Sequence, residues 1–279
     1  MDDEKRTILI SGSTDGVGRH VAERLASPNV LVLVHGRDSV RGAAVVDAIA
    51  RKGGSAHFYR ADLASLSEVR DLANSLRNDH SHIDAVINNA GIAHVRNDER
   101  RLSADGYELH FAVNYLAGFL LTNLLLPSLG RRRPSRIVNV VSLGQQPIDF
   151  EDVMLEKGYT AWRAYCQSKL AQVMFTFDLA HAFSGVTANC LHPASLMDTP
   201  LVRAAGLVPA TTVEEGGNAI LALATSPKMT GRTGLYFDGQ REERANEQAY
   251  DAAARQRLRE LSARLTDLGD AAEATLDRV

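Results

Sequence analysis

Tyr165 and Lys169 stand four residues apart in the segment AYCQSKLA. On a helix that spacing stacks one side chain a turn above the other on the same face. A free tyrosine titrates near pH ~10, too high for easy proton exchange at neutrality. A neighbouring ammonium favours the phenolate and lowers that value. A lowering of roughly three units corresponds to about 4 kcal/mol of differential stabilisation. It would place Tyr165 where a general acid/base works best. The same spacing also occurs on ordinary solvated helix faces, so the pair gains meaning only from its surroundings.

Those surroundings alternate between two patterns. TILIS (7–11) and VLVLVH (30–35) are near-continuous apolar runs, as strands buried on both faces require. Further strands are expected at 55–62, 83–91, 136–142, 186–192 and 234–238. Helical periodicity is expected after the first strand and at 40–51, 103–128, 160–183 and 212–225, with a C-terminal helix over 243–266. Alternating strands and helices predict one α/β domain over 1–279. Its parallel, doubly wound Rossmann-type sheet has about seven strands, with helices on both faces.

Bulk composition narrows the partners. The 279 residues are 45% hydrophobic with a formal net charge of -3, which gives no reason to expect nucleic acid. The one basic run, Arg131-Arg132-Arg133, reads as a solvated loop. Cys166 and Cys190 suggest no disulfide framework and fit a reducing compartment. The start of the chain has no apolar signal segment, and 111–129 is interrupted by Asn114, Thr122, Asn123 and Pro127. That stretch reads as a buried helix rather than a membrane span, so a cytoplasmic location is expected. No His/Cys/Asp/Glu cluster has metal-ligand spacing.

Directly after the first strand, SGSTDGVGRH places glycines at 12, 16 and 18. Glycine lets a backbone turn tightly and approach a pyrophosphate resting on a helix N-terminus, although a tight strand-to-helix turn needs glycines too. The second strand ends in His35-Gly36-Arg37-Asp38. His35 or Gly36 takes the place where an acidic residue would hold the ribose of NAD, and Arg37 follows. A guanidinium pairs with a 2′-phosphate, and Ser13 and Thr14 offer hydroxyls to the same group. NADP(H) is therefore expected in preference to NAD(H), with Asp15 and Asp38 opposing. Asp62 is a candidate acceptor for the adenine amino group, or else a helix N-cap.

Gly12-x-x-x-Gly16-x-Gly18, Asn88-Asn89-Ala90-Gly91, Asn114, Ser142 and Tyr165-x-x-x-Lys169 occur in that order. With them the chain resembles the short-chain dehydrogenase/reductase family over roughly residues 5–240. RIVNVVSLG, AYCQSKLAQVMF and LHP look most like its retinol-dehydrogenase-like branch. The resemblance implies that Gly12, Gly16 and Gly18, with Val17 between them, cradle the diphosphate. It implies that Asp62 and Leu63 flank the adenine and that Asn89, Ala90 and Gly91 line the floor. Asn114 would hold a water near Lys169. Ser142 would bond the substrate oxygen and Tyr165 would pass the proton. Lys169 would acidify Tyr165 and bond the nicotinamide ribose, with Pro193 and Thr199 facing the carboxamide. Ala194 stands where the family has glycine, and Thr199 sits one place late, so this loop departs from the pattern.

Two donors aimed at one oxygen suit a carbonyl that gains negative charge as hydride arrives. The expected activity is interconversion of a carbonyl and an alcohol. The alternatives are reduction of an activated C=C bond on the same scaffold, or a non-catalytic NADP-sensing regulator. Residues 144–162 and 194–212 should form the rim and lid. Phe150, Met154, Tyr159, Trp162, Met197 and Leu201 would give an apolar wall for a lipophilic or aromatic substrate, unless they merely pack the lid down. His94 and Arg96 are expected near the mouth. The resemblance also implies a homodimer or homotetramer joined through the helices near 103–128 and 160–183.

Overall fold

The computed structural model describes residues 5–96, 98–131, 134–182 and 185–268. Arg132 and Arg133, like the two ends of the expected 1–279 domain, lie outside the described residues. The apolar runs become β1 (Arg6–Ile10), β2 (Val30–Gly36), β3 (Ser55–Arg60), β4 (Ala85–Asn88), β5 (Ser135–Val140), β6 (Val186–His192) and β7 (Leu235–Asp238). All seven run parallel, in the order β3-β2-β1-β4-β5-β6-β7. An eighth strand, β8 (Arg241–Glu243), pairs antiparallel with β7 at the edge. Its sequence REE is exposed and carries no apolar alternation, so the sequence pattern yields seven strands where the described residues hold eight.

Alternate strand residues feed two cores, as the two-residue period demands. Leu9, Leu33, Val86 and Ile137 join one core, with α3 (Leu66–Asp79), α4 (Ala117–Leu125) and α5 (Ala161–Ala182). Ile8, Ile10, Val32, Val34 and Val138 join the other, with α1 (Gly16–Arg24), α2 (Ser39–Arg51) and α7 (Val213–Thr225). In the chain, α6 (Pro200–Ala204), a single turn capped by Thr199, comes between β6 and α7. α3 falls within 63–82, a stretch the apolar runs leave unassigned, and its N-cap is Ser65 rather than Asp62. α4 is preceded by a π-helical segment, Phe111–Leu116. Phe111–Ser128 is apolar and long enough to cross a membrane, yet it is mostly buried inside the fold.

The C-terminal helix α8 (Ala252–Leu265) starts later than the expected residue 243, because β8 and a 3-10 turn at Glu247–Tyr250 come first. It lies across the outer face of α5. Arg255 and Arg259 both pair with Asp178, at 3.0 Å and 2.9 Å. Ser262 meets the buried Tyr115 hydroxyl at 2.7 Å, and Tyr107 donates to the Leu265 carbonyl. Part of the helical face on which self-association is expected is thus covered by the chain itself.

Strand order reverses between β1 and β4. In sheets of this kind the crevice beyond the carboxyl ends at such a reversal is the place for a ligand. The loops leaving β1, β2, β4, β5 and β6 all open there.

Candidate active site

Ser142 follows β5, and Tyr165 and Lys169 lie one turn apart on α5, so the expected helical spacing is realised. The Ser142 hydroxyl lies beside the Tyr165 phenol and favours its ionised form. Ser142 Oγ also accepts from the Gly144 amide at 3.1 Å. Lys169 is buried, and its ammonium donates to the Val140 carbonyl at 3.1 Å and to Gln172 Oε1 at 2.9 Å. It lies 5.9 Å from the Tyr165 ring centroid.

This geometry corrects the expected acidification. Burial pushes the Tyr165 phenol above its ordinary value, and the neighbouring Ser142 hydroxyl only partly opposes that. Burial also pulls the Lys169 ammonium down to about 7. Neither acceptor of Lys169 carries a charge, so no opposite charge offsets the desolvation of its cation. Gln172, three residues beyond the lysine, is a partner that the Tyr–Lys spacing alone does not reveal.

Asn114 sits in the π-helical segment, a local unwinding that recurs at functional sites. Its side chain accepts from the Ile92 amide at 2.8 Å and donates to the Ile92 carbonyl and to Ser168 Oγ. Ser168 in turn donates to the Tyr165 carbonyl at 2.7 Å. Asn114 therefore binds the loop after β4 to the turn of α5 that carries the tyrosine. Gly91 lies against this group: a Cβ there would come within 3.3 Å of Asn114 Oδ1 and 3.4 Å of Lys169 Nζ.

The glycine loop is packed as tightly. Gly12 has φ +64, and a Cβ on it would sit 2.8 Å from Ala90 Cα. A Cβ on Gly18 would sit 2.3 Å from the Gly12 carbonyl oxygen and 2.4 Å from Asn89 Nδ2. Asn89 Nδ2 donates to the carbonyls of Ser11 and Gly12. Gly18→Ala should therefore displace the loop and cost about 1–3 kcal/mol, read by thermal unfolding. Val17 is buried in the core, leaving only its backbone, in the first turn of α1, to face a ligand. Thr199 faces this loop: a Cβ on Gly16 would lie 3.6 Å from its methyl. The start of α1 is a helix N-terminus, where backbone amides suit a phosphate, although the Gly16 amide is taken by Asp15 Oδ1 at 2.8 Å. A glycine cradle closed by Ala90 and Thr199, ending at a buried lysine, fits a nicotinamide dinucleotide.

At the far end of the cradle several expectations change. Ser13 Oγ donates to the Ile10 carbonyl and accepts from the His35 amide, so its hydroxyl is engaged inside the fold rather than offered to a 2′-phosphate. His35 is buried, which leaves Arg37 as the exposed residue at the end of β2. Arg37 pairs with Asp62 at 3.6 Å, and Thr14 rests against Gly36. Asp15 and Asp38 cap α1 and α2, and both pair with Arg41. Arg41 thus offsets the two carboxylates expected to repel a phosphate. Leu63 is buried in the core, so only its backbone can border the adenine.

The rim divides. Trp162 is 51% exposed and stacks on Tyr165, with ring centroids 5.7 Å apart. Leu196 and Leu201 are also exposed. Phe150, Met154 and Tyr159 instead hold the segment down. Phe150 lies under the Arg257 guanidinium, Met154 Sδ accepts from the Glu108 amide, and the Tyr159 hydroxyl donates to the buried Glu108 carboxylate. Met197 packs over Gly216, beside Pro193. Glu108 also accepts a hydrogen bond from Nδ1 of His110, whose ring meets the edge of Tyr165 and whose Nε2 accepts from the His94 amide. Arg96 reaches Gly206, joining the loop after β4 to the rim. In the departing loop, Leu196 adopts φ +50, and its carbonyl accepts from Ala210 and Thr211.

A doubly wound sheet, a glycine cradle and a Ser–Tyr–Lys group define a dinucleotide-binding α/β fold with an oxidoreductase site. The short chain dehydrogenase family matches residues 6–207, and the chain belongs to that family. It is 34% identical to retinol dehydrogenase 13 of Mus musculus, over 94% of this chain and 84% of that one. It is 35% identical to polyprenol dehydrogenase of Mus musculus, over 95% and 84%. Among solved structures, an uncharacterized protein from Mycobacterium paratuberculosis superposes with a TM-score of 0.77 at 31% identity, over 95% of this chain and 94% of that one. The chain is thereby an oxidoreductase of the retinol-dehydrogenase-like branch.

Proposed function

We propose that this chain is an NADP(H)-dependent oxidoreductase that interconverts a carbonyl and an alcohol on a lipophilic or aromatic small molecule. The observation that carries the reading is the juxtaposition of Ser142 with Tyr165, one helical turn from the buried Lys169 and beside the glycine cradle. The bound nicotinamide supplies hydride. Ser142 and Tyr165 aim two hydroxyls at the substrate oxygen, where negative charge develops during reduction. Tyr165 is held neutral by burial, the form that can donate a proton to that oxygen. Asn114 and Ser168 keep the tyrosine's turn of α5 fixed against the loop after β4.

Exposed apolar side chains of the expected rim support the substrate class. Trp162, Leu143, Leu196, Leu201, Leu207 and Val208 are exposed apolar side chains of residues 143–208. The relatives named for retinol and polyprenol act on apolar alcohols, which supports the same choice for this chain. A reducing, cytoplasmic setting fits Cys166 and Cys190, both buried and free.

The preference for NADP(H) rests on Arg37, a guanidinium whose present partner, Asp62, is an exposed pairing of little net value. Arg37→Ala should raise the NADPH dissociation constant by about tenfold to a hundredfold, a charge-assisted contact of about 1.5–3 kcal/mol, and leave NADH within about twofold. Equal effects on both cofactors would contradict the preference. A panel of ketones, aldehydes, quinones and alcohols, followed by nicotinamide absorbance with NADPH and NADH, tests the activity. No turnover of either cofactor across that panel would count against it.

A further inference from the structure

His35 takes no part in the proton chemistry, yet it is the residue around which the start of the glycine loop is built. It is 2% exposed at the end of β2. The Gly12 amide donates to its Nδ1 at 3.1 Å. Its own amide donates to Ser13 Oγ at 3.0 Å, and its carbonyl accepts from the Ser13 amide at 2.9 Å. Ser13 Oγ completes the ring by donating to the Ile10 carbonyl at 2.8 Å. From the other side Asn89 Nδ2 donates to the Gly12 carbonyl at 3.0 Å. Both polar groups of Gly12 are thus fixed, one by β2 and one by the end of β4, at a φ of +64 that only glycine adopts freely.

The chemistry of the imidazole suits this position. Nδ1 accepts, so the ring is neutral with its proton on Nε2. Burial keeps it so by pulling its pKa down to about 4. An apolar residue at this place would leave the Gly12 amide without a partner, a cost that buried backbone groups rarely carry.

We infer that His35 is a positioning residue for the diphosphate of the cofactor, acting through Gly12 to set the loop that leads into the first turn of α1. The inference rests on the dinucleotide reading of the site. It predicts a selective defect: ligands with a diphosphate lose affinity, and a ligand bound only at the Arg37 end does not. Adenosine 2′-phosphate, which has no diphosphate, is that second ligand.

The test measures dissociation constants of NADPH and adenosine 2′-phosphate for the wild type, His35→Leu and His35→Asn by calorimetry. Asn is close to Leu in size but places Oδ1 where Nδ1 stood. His35→Leu should weaken NADPH about tenfold, as loss of one hydrogen-bonded anchor implies, and change adenosine 2′-phosphate by less than about twofold. His35→Asn should recover most of the NADPH affinity. A folded His35→Leu that binds NADPH like the wild type, an equal loss for both ligands, or an Asn variant no better than Leu would overturn the inference. If Leu prevents folding, His35→Ala is read in the same way. Independently of any variant, the ¹⁵N shift of His35 Nδ1 in the wild type must report an unprotonated, hydrogen-bonded nitrogen; a protonated Nδ1 overturns it. A wild type that binds adenosine 2′-phosphate but not NADPH would instead overturn the cofactor reading.

Discussion

Tyr165→Phe should lower turnover on a genuine substrate by about 10²–10⁴-fold, the contribution of a positioned general acid. The substitution is narrow. Phenylalanine keeps the stack with Trp162 and the edge contact with His110, and removes only the hydroxyl that Ser142 engages. NADPH affinity should stay within about twofold, and stability within about 1 kcal/mol, the net worth of one hydrogen bond. Steady-state kinetics beside a fluorescence titration of NADPH separates these effects. Near wild-type turnover would show that the proton comes from another group.

Lys169→Met should move activity and stability in opposite directions. Activity should fall by about 10²–10³-fold, as when one preorganised donor is removed from a reacting centre. Stability of the cofactor-free protein should rise, because the ammonium is buried against two uncharged oxygens. Methionine fills similar space without a charge to desolvate. The pH dependence fixes the sign. In the folded state burial depresses the Lys169 pKa to about 7, below the ordinary lysine value of 10.5. Between these values the unfolded chain binds a proton that the folded one does not, so this group makes wild-type stability rise with pH across that window. The gain from Lys169→Met is therefore greatest at and below neutral pH and shrinks toward alkaline pH. A rise of about 2–4 °C in Tm at pH ~7 would mark it for a chain of this size. A lower Tm at neutral pH would mean that the lysine is a structural anchor.

Much of the fold is legible in the sequence because parallel strands buried on both faces must be apolar throughout. β6 (Val186–His192) and α5 (Ala161–Ala182) fall where VTANCLH and the AYCQSKLA segment predict. Elements shaped by neighbours rather than by their own pattern are not legible. β8 is three charged residues that pair only because β7 lies beside them. The helix expected from 103 is helical only from 109, because Gly106 at φ +83 sits in a turn.

The site divides along the same line. The order Gly12, Asn89, Asn114, Ser142, Tyr165, Lys169 is visible in one dimension. What surrounds each residue is not. Gln172 and the Val140 carbonyl hold Lys169, Arg41 offsets Asp15 and Asp38, and His35 occupies the Gly12 amide. These contacts join segments up to 29 residues apart in the chain. They decide the electrostatics that residue spacing can only suggest: burial raises the phenol that the Tyr–Lys spacing alone would lower.

The most direct measurement follows the hydride. NADPH deuterated at nicotinamide C4 is incubated with the protein and a panel of lipophilic ketones, aldehydes and enones, and the products are analysed by mass spectrometry and NMR. Deuterium on the carbinol carbon of a new alcohol is the predicted result, with the signal lost in Tyr165→Phe. Deuterium on a former alkene carbon, with the carbonyl intact, would contradict carbonyl reduction.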